Sequence, residues 1–275
     1  MSQRVFILPA LTILLWVSGV ISEGALIPDL VTNVENHQSL VIIDIESARS
    51  SKLTKDPQTG VIISKDYVLG TAPTYMISYP RFTVRIGSKT FDNDYKKYKA
   101  ELVQLDTPPS NKSSDQEGLV NRLRLVLYKV KEPIQYGHNV KPISLVDNND
   151  ESILSQKTVF ISWKTAVTHE SDLSSSRKIR DIELDLLNNE ECNRLVSESK
   201  KESGKGSIPL PQGYSCATKS DSVSSSIDDF DGGIIVKGGK LVGLFTSYIE
   251  IDSKIYYVYA DLAYYRQSIK SIVGF

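Results

Sequence analysis

The sequence predicts an all-β fold, and three observations support this expectation. Short apolar or alternating stretches rich in β-branched and aromatic residues recur along the chain, turn-forming residues separate them, and helical periodicity is confined to two places. A chain of 275 residues with 40% hydrophobic residues can also bury a sizeable core. Short strands joined by turns favour a barrel or a sandwich. The predicted strands span residues 40–45, 61–69, 82–86, 123–130, 158–163, 182–187, 233–236, 241–247 and 255–259.

Two segments have helical periodicity. The first spans residues 190–199, and Asn188 and Asn189 are the candidates for capping its amino terminus. The second spans residues 264–273, near the end of the sequence. Two further segments are predicted to be loops, the Ser, Lys and Gly-rich residues 197–207 and the serine-rich run 220–226.

The first 22 residues have the pattern of a secretory signal peptide. Arg4 gives a basic start, residues 5–17 form an apolar run, and residues 18–22 include small residues suited to a signal peptidase. The apolar run is too short to span a bilayer, which takes about 20 residues. We therefore expect residues 1–22 to be removed, leaving a soluble chain; an uncleaved membrane anchor is the alternative.

The charge balance argues against some classes of partner. The formal net charge is −1, and the sequence has no aromatic and basic pattern of a nucleic-acid module, so we expect no nucleic-acid partner. Lysines gather at Lys96, Lys97 and Lys99, in a short run of the kind that is usually a solvated face. The histidines show no metal-ligand spacing with either cysteine, so no metal or other cofactor is predicted.

The segment around Asp231 carries the most informative motif. Residues 227–236 read Ile-Asp-Asp-Phe-Asp-Gly-Gly-Ile-Ile-Val, and residues 239–245 read Gly-Lys-Leu-Val-Gly-Leu-Phe. This pattern resembles the active-site strand of the trypsin-like serine proteases, which reads Gly-Asp-Ser-Gly-Gly-Pro-Leu-Val and then Leu-Val-Gly-Ile. Asp231 occupies the position of the nucleophilic serine, and an aspartate cannot attack a peptide bond as serine does.

Other segments follow the order of that family from about residue 41 to residue 275. Residues 67–74 resemble the strand end that carries the catalytic histidine, with Pro73 at the histidine position. Residues 124–133 resemble the segment that begins with the triad aspartate, with Arg124 at its position. All three catalytic positions are therefore substituted. Further matching segments are residues 81–87, 139–145, 159–163, 186–193, 214–217 and 259–269.

The resemblance implies two antiparallel six-stranded β-barrels with a short intermediate helix and a C-terminal helix. The trypsin-like domain would span residues 23–275, with the N-terminal barrel at 23–148 and the C-terminal barrel at 149–275. The resemblance also implies a disulfide between Cys192 and Cys216, which correspond to one of the family's own pairs. Export to an oxidising compartment makes such pairing the default expectation.

The groups that assist catalysis are altered too. Asp229 stands where a glycine supplies an amide of the oxyanion hole, and Phe230 stands where an aspartate pairs with the amino terminus freed by activation. A carboxylate at Asp231 would oppose a developing oxyanion about 4 Å away by roughly 4 kcal/mol at an effective dielectric near 20. As a further hypothesis, Arg124 pairs with Asp231 in a structural salt bridge.

Substrate recognition is expected to differ as well. Ser225 falls at the base of the specificity pocket, where trypsins carry an acid. Thr246 and Tyr248 lie on the strand that pairs with the substrate backbone in the family. Because the ring of Tyr248 stands where a glycine keeps the cleft open, we expect an occluded cleft.

Together these observations predict a secreted, catalytically inactive serine protease homologue. Its expected partner is an extracellular protein, namely a protease, an inhibitor or another secreted protein, as for inactive members that act in extracellular proteolytic cascades. Two alternatives remain open: an active secreted endopeptidase with a rewired site, and a glycosaminoglycan-binding protein that uses the lysines at 96, 97 and 99. Asn111 lies in the one Asn-x-Ser/Thr sequon and is a candidate glycosylation site.

Overall fold

A computed structural model describes the chain from Leu30 onward, with gaps. The described residues are 30–31, 37–49, 52–72, 81–87, 95–105, 125–147, 153, 155–164, 178–202, 210, 212–220, 232–252 and 254–275. The expected signal peptide and the candidate glycosylation site Asn111 lie outside them.

Within these residues the chain forms thirteen strands and two helices. The strands are β1 Leu30–Val31, β2 Leu40–Arg49, β3 Lys52–Ile62, β4 Tyr67–Thr71, β5 Arg81–Ile86, β6 Lys96–Gln104, β7 Leu125–Val130, β8 Thr158–Lys164, β9 Lys178–Leu186, β10 Tyr214–Lys219, β11 Ile234–Lys237, β12 Lys240–Ile251 and β13 Lys254–Asp261. The helices are α1 Asn189–Glu202 and α2 Leu262–Val273.

The first six-stranded sheet closes into an antiparallel barrel in the order β2-β3-β4-β7-β6-β5. Apolar residues that alternate along its strands fill the interior, among them Val84 of β5, Tyr98 of β6 and Tyr128 of β7. The ring of Tyr128 packs edge to face against that of Phe82, with their centroids 5.2 Å apart. On β5 and β6 the residues between these positions face outward and are mostly charged.

The second barrel has the strand order β8-β9-β10-β13-β12-β11, and pairing of β11 with β8 closes the ring. Strand β1 pairs with β9 outside this ring. The prediction of two antiparallel six-stranded barrels is therefore confirmed. The proposed boundary between residues 148 and 149 stays a prediction.

An apolar layer joins the two barrels. It includes Leu69 and Leu125 from the first barrel and Ile161, Ile234 and Leu241 from the second, all of them buried. Because both sheets contribute to one continuous cluster, burial of this surface stabilises their packing against each other.

Helix α1 begins within one residue of the predicted start but continues to Glu202, so the prediction of a loop from residue 197 was wrong as far as residue 202. The side chain of Asn188 accepts a hydrogen bond from the backbone N–H of Glu191 at 2.8 Å, so its predicted capping role is confirmed. Cys192 on this helix forms a disulfide with Cys216 on β10, with their Cα atoms 5.4 Å apart. This pairing confirms the expected bridge, which fastens the helix to the second barrel.

Helix α2 is fixed at both of its ends. The carboxylate of Asp261 accepts the N–H of Ala263 at 3.0 Å, and Gly274 ends the helix with a φ of 81°. Along the helix, the guanidinium of Arg266 donates to the carbonyl of Val146 and lies 3.2 Å from the carboxylate of Asp147. The helix is thereby tied to the segment that leads from one barrel to the other.

Two expectations about strands were wrong or incomplete. The predicted strand 61–69 is two strands, because residues 63–66 form a turn in which the hydroxyl of Ser64 accepts the N–H of Tyr67 at 3.1 Å. Strands β6 and β10 were not predicted as strands at all. In β6, exposed lysines alternate with buried Tyr98 and Ala100, so charge hid a period-two pattern.

Neither helix of the described chain is long and apolar enough to cross a membrane. The same residues contain no group of three or more His, Cys, Asp or Glu side chains placed to hold a metal ion.

Candidate functional site

The structure describes residues that adjoin the predicted site in the chain, but not the substituted positions themselves. The substituted positions Pro73, Arg124, Asp231, Asp229, Phe230 and Ser225 lie outside the described residues, as does the hypothesised salt bridge. Each of the three catalytic positions nevertheless adjoins a described residue in the chain; these residues are Ala72, Leu125 and Gly232. The roles assigned to the substituted positions stay predictions.

The flanks of the first two catalytic positions are neighbours in the first barrel. Thr71 of β4 lies directly opposite Leu125 of β7. The hydroxyl of Tyr128 donates to the carbonyl of Thr71 at 2.9 Å, and the hydroxyl of Thr71 donates to the side-chain carbonyl of Gln58 on β3 at 3.3 Å. Strands β3, β4 and β7 therefore meet at this end of the barrel.

The flank of the third position reaches the same place from the second barrel. Gly232 has a φ of +80°, and a Cβ built on it would lie 3.6 Å from the Cβ of Thr59, the residue after Gln58. The fully buried hydroxyl of Ser162 donates to the carbonyl of Gly232. Gly232 thus contacts the first barrel while strand β8 of the second barrel holds its carbonyl.

The next glycine of the motif is required by packing. A Cβ on Gly233 would lie 2.2 Å from a ring carbon of Phe160 and 3.1 Å from the carbonyl oxygen of Ile161. Any side chain there would force the ring or the backbone of β8 to move. Gly233 is therefore explained by barrel packing and Gly232 by its positive φ, without reference to chemistry at Asp231.

Strand β12 carries the two described residues of the predicted substrate-binding stretch. Its register with β13 shifts between Phe245 and Ser247, so Thr246 lies at a bulge, and its hydroxyl donates to the carbonyl of Val258 at 3.0 Å. Beyond the bulge, Tyr248 is 41% exposed. Its ring therefore keeps a large solvent-facing area at the position where the sequence suggested an obstruction.

Three aromatic rings fill the second barrel beneath this stretch. Tyr257, the cross-strand partner of Tyr248, is only 1% exposed. Its ring centroid lies 5.3 Å from that of Phe160 and 6.0 Å from that of Phe245, and the last two rings are 5.4 Å apart. Sequence reasoning missed this cluster, although Tyr257 and Tyr259 show the period-two spacing of inward-facing residues.

Burial also shifts the ionisation of several groups near these features. It raises the pKa of Tyr128, so the phenol that holds Thr71 remains a neutral hydrogen-bond donor. Burial likewise raises the pKa of the Asp261 carboxyl, which caps α2, and the pKa of Tyr259. These tyrosines serve as packed or hydrogen-bonding groups, and their raised pKa values do not suit them to act as bases near neutral pH.

Two surface grooves lie elsewhere on the described surface. One, of about 580 Å³, runs between residues 63–66 and the end of α2 and is lined by the exposed rings of Tyr136 and Phe275. The other, of about 320 Å³, is lined by His37, Lys141 and residues of β8 and β11. Neither groove is lined by Thr246 or Tyr248. Occlusion of the substrate cleft stays a prediction, because residues 221–231 lie outside the described part.

Comparison with known proteins gives matches over most of the chain. The family model described as trypsin matches residues 37–269. Kallikrein-8 of Homo sapiens is 27% identical over 219 residues, which cover 78% of this chain and 76% of kallikrein-8.

The solved structures that match include inactivated proteins. The scabies mite inactivated protease paralogue S-D1 has a TM-score of 0.64 at 16% identity, over 88% of this chain and 95% of that one. Paralogue S-I1 of the same mite has a TM-score of 0.59 at 15% identity, over 89% and 97%. Neuropsin from mouse brain, a serine protease, has a TM-score of 0.58 at 17% identity, over 88% and 97%. At these identities the matches show the fold alone.

Proposed function

The chain belongs to the trypsin family, and from this premise we propose that it is a secreted, non-catalytic member that acts by binding an extracellular protein. The observation that carries the proposal is the sequence at the three catalytic positions, which reads Pro73, Arg124 and Asp231 where the family has histidine, aspartate and serine. A scaffold that closes both barrels without these groups can position surface loops for binding.

The chemistry of the substituted positions supports loss of peptide hydrolysis. Acyl transfer needs a nucleophile, a base within hydrogen-bond reach and donors aimed at the oxyanion. Proline has no ionisable side chain, and a carboxylate at Asp231 adds negative charge where the oxyanion would develop. Asp229 and Phe230 replace the residues that build and order the oxyanion hole in the family, so residual catalysis by that hole is not expected either.

The packing of the second barrel supports the same conclusion on substrate binding. A substrate side chain needs an apolar or charged recess beside strand β12. Next to Tyr248 on the neighbouring strand, the ring of Tyr257 is buried in the barrel interior with two phenylalanines and offers no recess there. The scabies mite neighbours are titled inactivated protease paralogues, which supports the view that this fold serves proteins without proteolytic activity.

Secretion rests on separate observations. The disulfide between Cys192 and Cys216 is of a kind that persists in oxidising compartments, and the first 22 residues have the pattern of a signal peptide. We therefore place the mature protein outside the cell, where its partner is a protease, an inhibitor or another secreted protein.

A labelling experiment tests the loss of catalysis. Purified protein is incubated with an active-site fluorophosphonate and with peptide-ester substrates, beside active trypsin and a heat-denatured sample of the same protein. We expect no label and no ester turnover above the denatured sample, because no activated hydroxyl is expected at the centre. Labelling at any serine, or ester turnover by the native sample that the denatured sample lacks, would establish the rewired endopeptidase instead.

A second experiment tests the binding role. The tagged protein is purified from its native secretion, with a reduced and alkylated sample as the control for fold-independent adsorption. We expect an extracellular protein to co-purify in a fixed ratio with the folded sample and to be absent from the control. Recovery of the tagged protein alone would count against a binding role in that secretion.

A further inference from the structure

The outer surface of β5, β6 and the end of β7 carries a group of cationic side chains that we call the basic face. Inward-facing Val84, Tyr98 and Ala100 fix the alternation, so that the residues between them point outward. Five exposed cationic residues lie on these outward positions or directly after β7 among the described residues, together with one exposed acid, Glu101, whereas Arg85 lies on the same side but is only 7% exposed. The five are Arg81, Lys97, Lys99, Lys129 and Lys131.

Like charges are direct neighbours on the basic face. Arg85 of β5 lies opposite Lys97 of β6. The backbone N–H of Lys131 donates to the carbonyl of Lys99 at 2.9 Å, which places these two lysines on adjoining strands. Like charges opposite one another destabilise a sheet. A carboxylate reduces the repulsion within each pair, because Arg85 also pairs with Asp44 and Lys131 with Glu101, so Lys97 and Lys99 are the cations best placed to meet a bound anion.

The acidic residues nearby offset only part of this charge. Asp44 forms a buried pair with Arg85 at 2.8 Å, and Glu101 pairs with Lys131 at 2.9 Å. The ring of Tyr95 lies 5.1 Å from the guanidinium of Arg85 and 5.5 Å from the ammonium of Lys97. Among the described residues, no carboxylate forms an ion pair with Lys97 or with Lys99.

Side chains alternate along β6, so Lys96 lies on the opposite side of the strand from Lys97 and Lys99. The ammonium of Lys96 lies 3.0 Å from the side-chain oxygen of Gln135 and 5.1 Å from the ring centre of Tyr98, on the inward-facing side of β6 at the barrel rim. Lys97 and Lys99 share the opposite side, about 7 Å apart along the strand. The three lysines therefore lie on two different sides of β6, and only Lys97 and Lys99 belong to the basic face.

We propose that the basic face binds a sulfated polysaccharide. Single exposed ion pairs are weak, so useful affinity needs a ligand that presents several fixed negative charges at once. Strands β5, β6 and β7 are paired on both sides in the closed barrel, so a peptide has no free strand edge there for main-chain hydrogen bonds. A linear polymer that carries sulfates along its length meets a flat array of cations without needing such an edge.

Heparin is the probe for a binding titration of the full secreted chain at physiological salt. The double variant Lys97→Gln/Lys99→Gln is compared with wild type, with Lys96→Gln, and with Lys254→Gln/Lys270→Gln, which removes two exposed lysines from the second barrel. We expect the first variant to bind about four- to twenty-five-fold more weakly, since each exposed contact contributes about two- to fivefold. The other two variants should stay within about twofold of wild type, and added salt should weaken wild-type binding.

Several outcomes would overturn the proposal. Equal losses in the Lys97/Lys99 variant and in the control on the second barrel would show that only overall charge matters. Equal losses for Lys96→Gln and Lys97→Gln single variants would contradict the face defined by the register. Absence of heparin binding at physiological salt would end the idea, and tighter binding of poly-glutamate than of heparin would assign the face to an acidic protein. Far-ultraviolet circular dichroism confirms that each variant is folded.

Discussion

Truncation of Tyr257 tests whether the second barrel is closed beneath the predicted substrate strand. Tyr257 and Tyr248 are cross-strand partners, yet the first is 1% exposed and the second 41%. The same substitution to alanine at the two positions therefore compares a fully buried ring with a partly exposed ring on the same face of the sheet. The pair is matched in residue type, strand pairing and distance from the bulge at Thr246.

The expected magnitude follows from the packing around Tyr257. Replacing a fully buried aromatic ring by alanine typically costs about 3–5 kcal/mol in the free energy of unfolding. We expect the upper part of that range, because Phe160 and Phe245 already contact each other with centroids 5.4 Å apart and have little room to collapse into the vacated space. For Tyr248→Ala we expect a loss of about 1 kcal/mol or less, because the ring is partly exposed and lies outside the packed core.

Urea unfolding followed by tyrosine and tryptophan fluorescence measures both values. A further measurement adds benzene to Tyr257→Ala, because an apolar cavity lined by phenylalanines can take up a small aromatic ligand and regain stability. Equal losses at Tyr257 and Tyr248 would refute the inference that Tyr257 fills the barrel. A loss below about 1 kcal/mol at Tyr257 would do the same.

Two more predictions concern residues outside the catalytic positions. Burial raises the pKa of the Asp261 carboxyl, so the folded state binds its proton more tightly than the unfolded state does. The stability that comes from this bound proton is therefore lost as the pH rises through the folded pKa. We expect Asp261→Asn, which keeps a capping oxygen, to gain stability relative to wild type between pH 4 and pH 7 in urea unfolding; a difference that does not change with pH would contradict this. Replacing Cys192 and Cys216 together by alanine should lower the free energy of unfolding by about 3–4 kcal/mol, since the bridge closes a loop with a sequence separation of 24; an unchanged urea midpoint would show that packing alone holds α1.

The fold could be predicted where local signals and tertiary structure agree. The capping side chain of Asn188 and the periodicity after it marked helix α1 correctly. Residues 61–69 were predicted as one strand because apolar residues lie on both sides of a polar turn. The hydrogen bonds that the hydroxyl of Ser64 accepts show that the chain reverses there. Strand β6 was hidden because its outward residues are lysines, a composition typical of a solvated surface in any backbone conformation.

The site was less accessible to sequence reasoning than the fold. A motif comparison can show which side chain stands at a catalytic position, and it drew attention to Tyr248 as an obstruction. It cannot show which of several nearby tyrosines is buried, since that depends on the side chains packed around each ring. The bulge at Thr246 shifts the pairing of β12 with β13 and sets Tyr248 opposite Tyr257 on one face of the sheet, but only Tyr257 is enclosed by Phe160 and Phe245.

The motif around Asp231 combines residues with two independent physical constraints. Gly233 has no room for a side chain because the ring of Phe160 and the backbone of β8 lie against it, and this holds whatever chemistry the preceding residue performs. Gly232 has a φ of +80°, which residues with side chains rarely adopt, whereas a Cβ there would meet Thr59 only at an ordinary contact distance of 3.6 Å, so its constraint is conformational. Both constraints act on the glycines themselves, and neither involves the side chain that precedes them in the sequence. Under the proposed function, a substitution at position 231 would therefore remove the nucleophile and leave the fit of Gly233 against Phe160 in place.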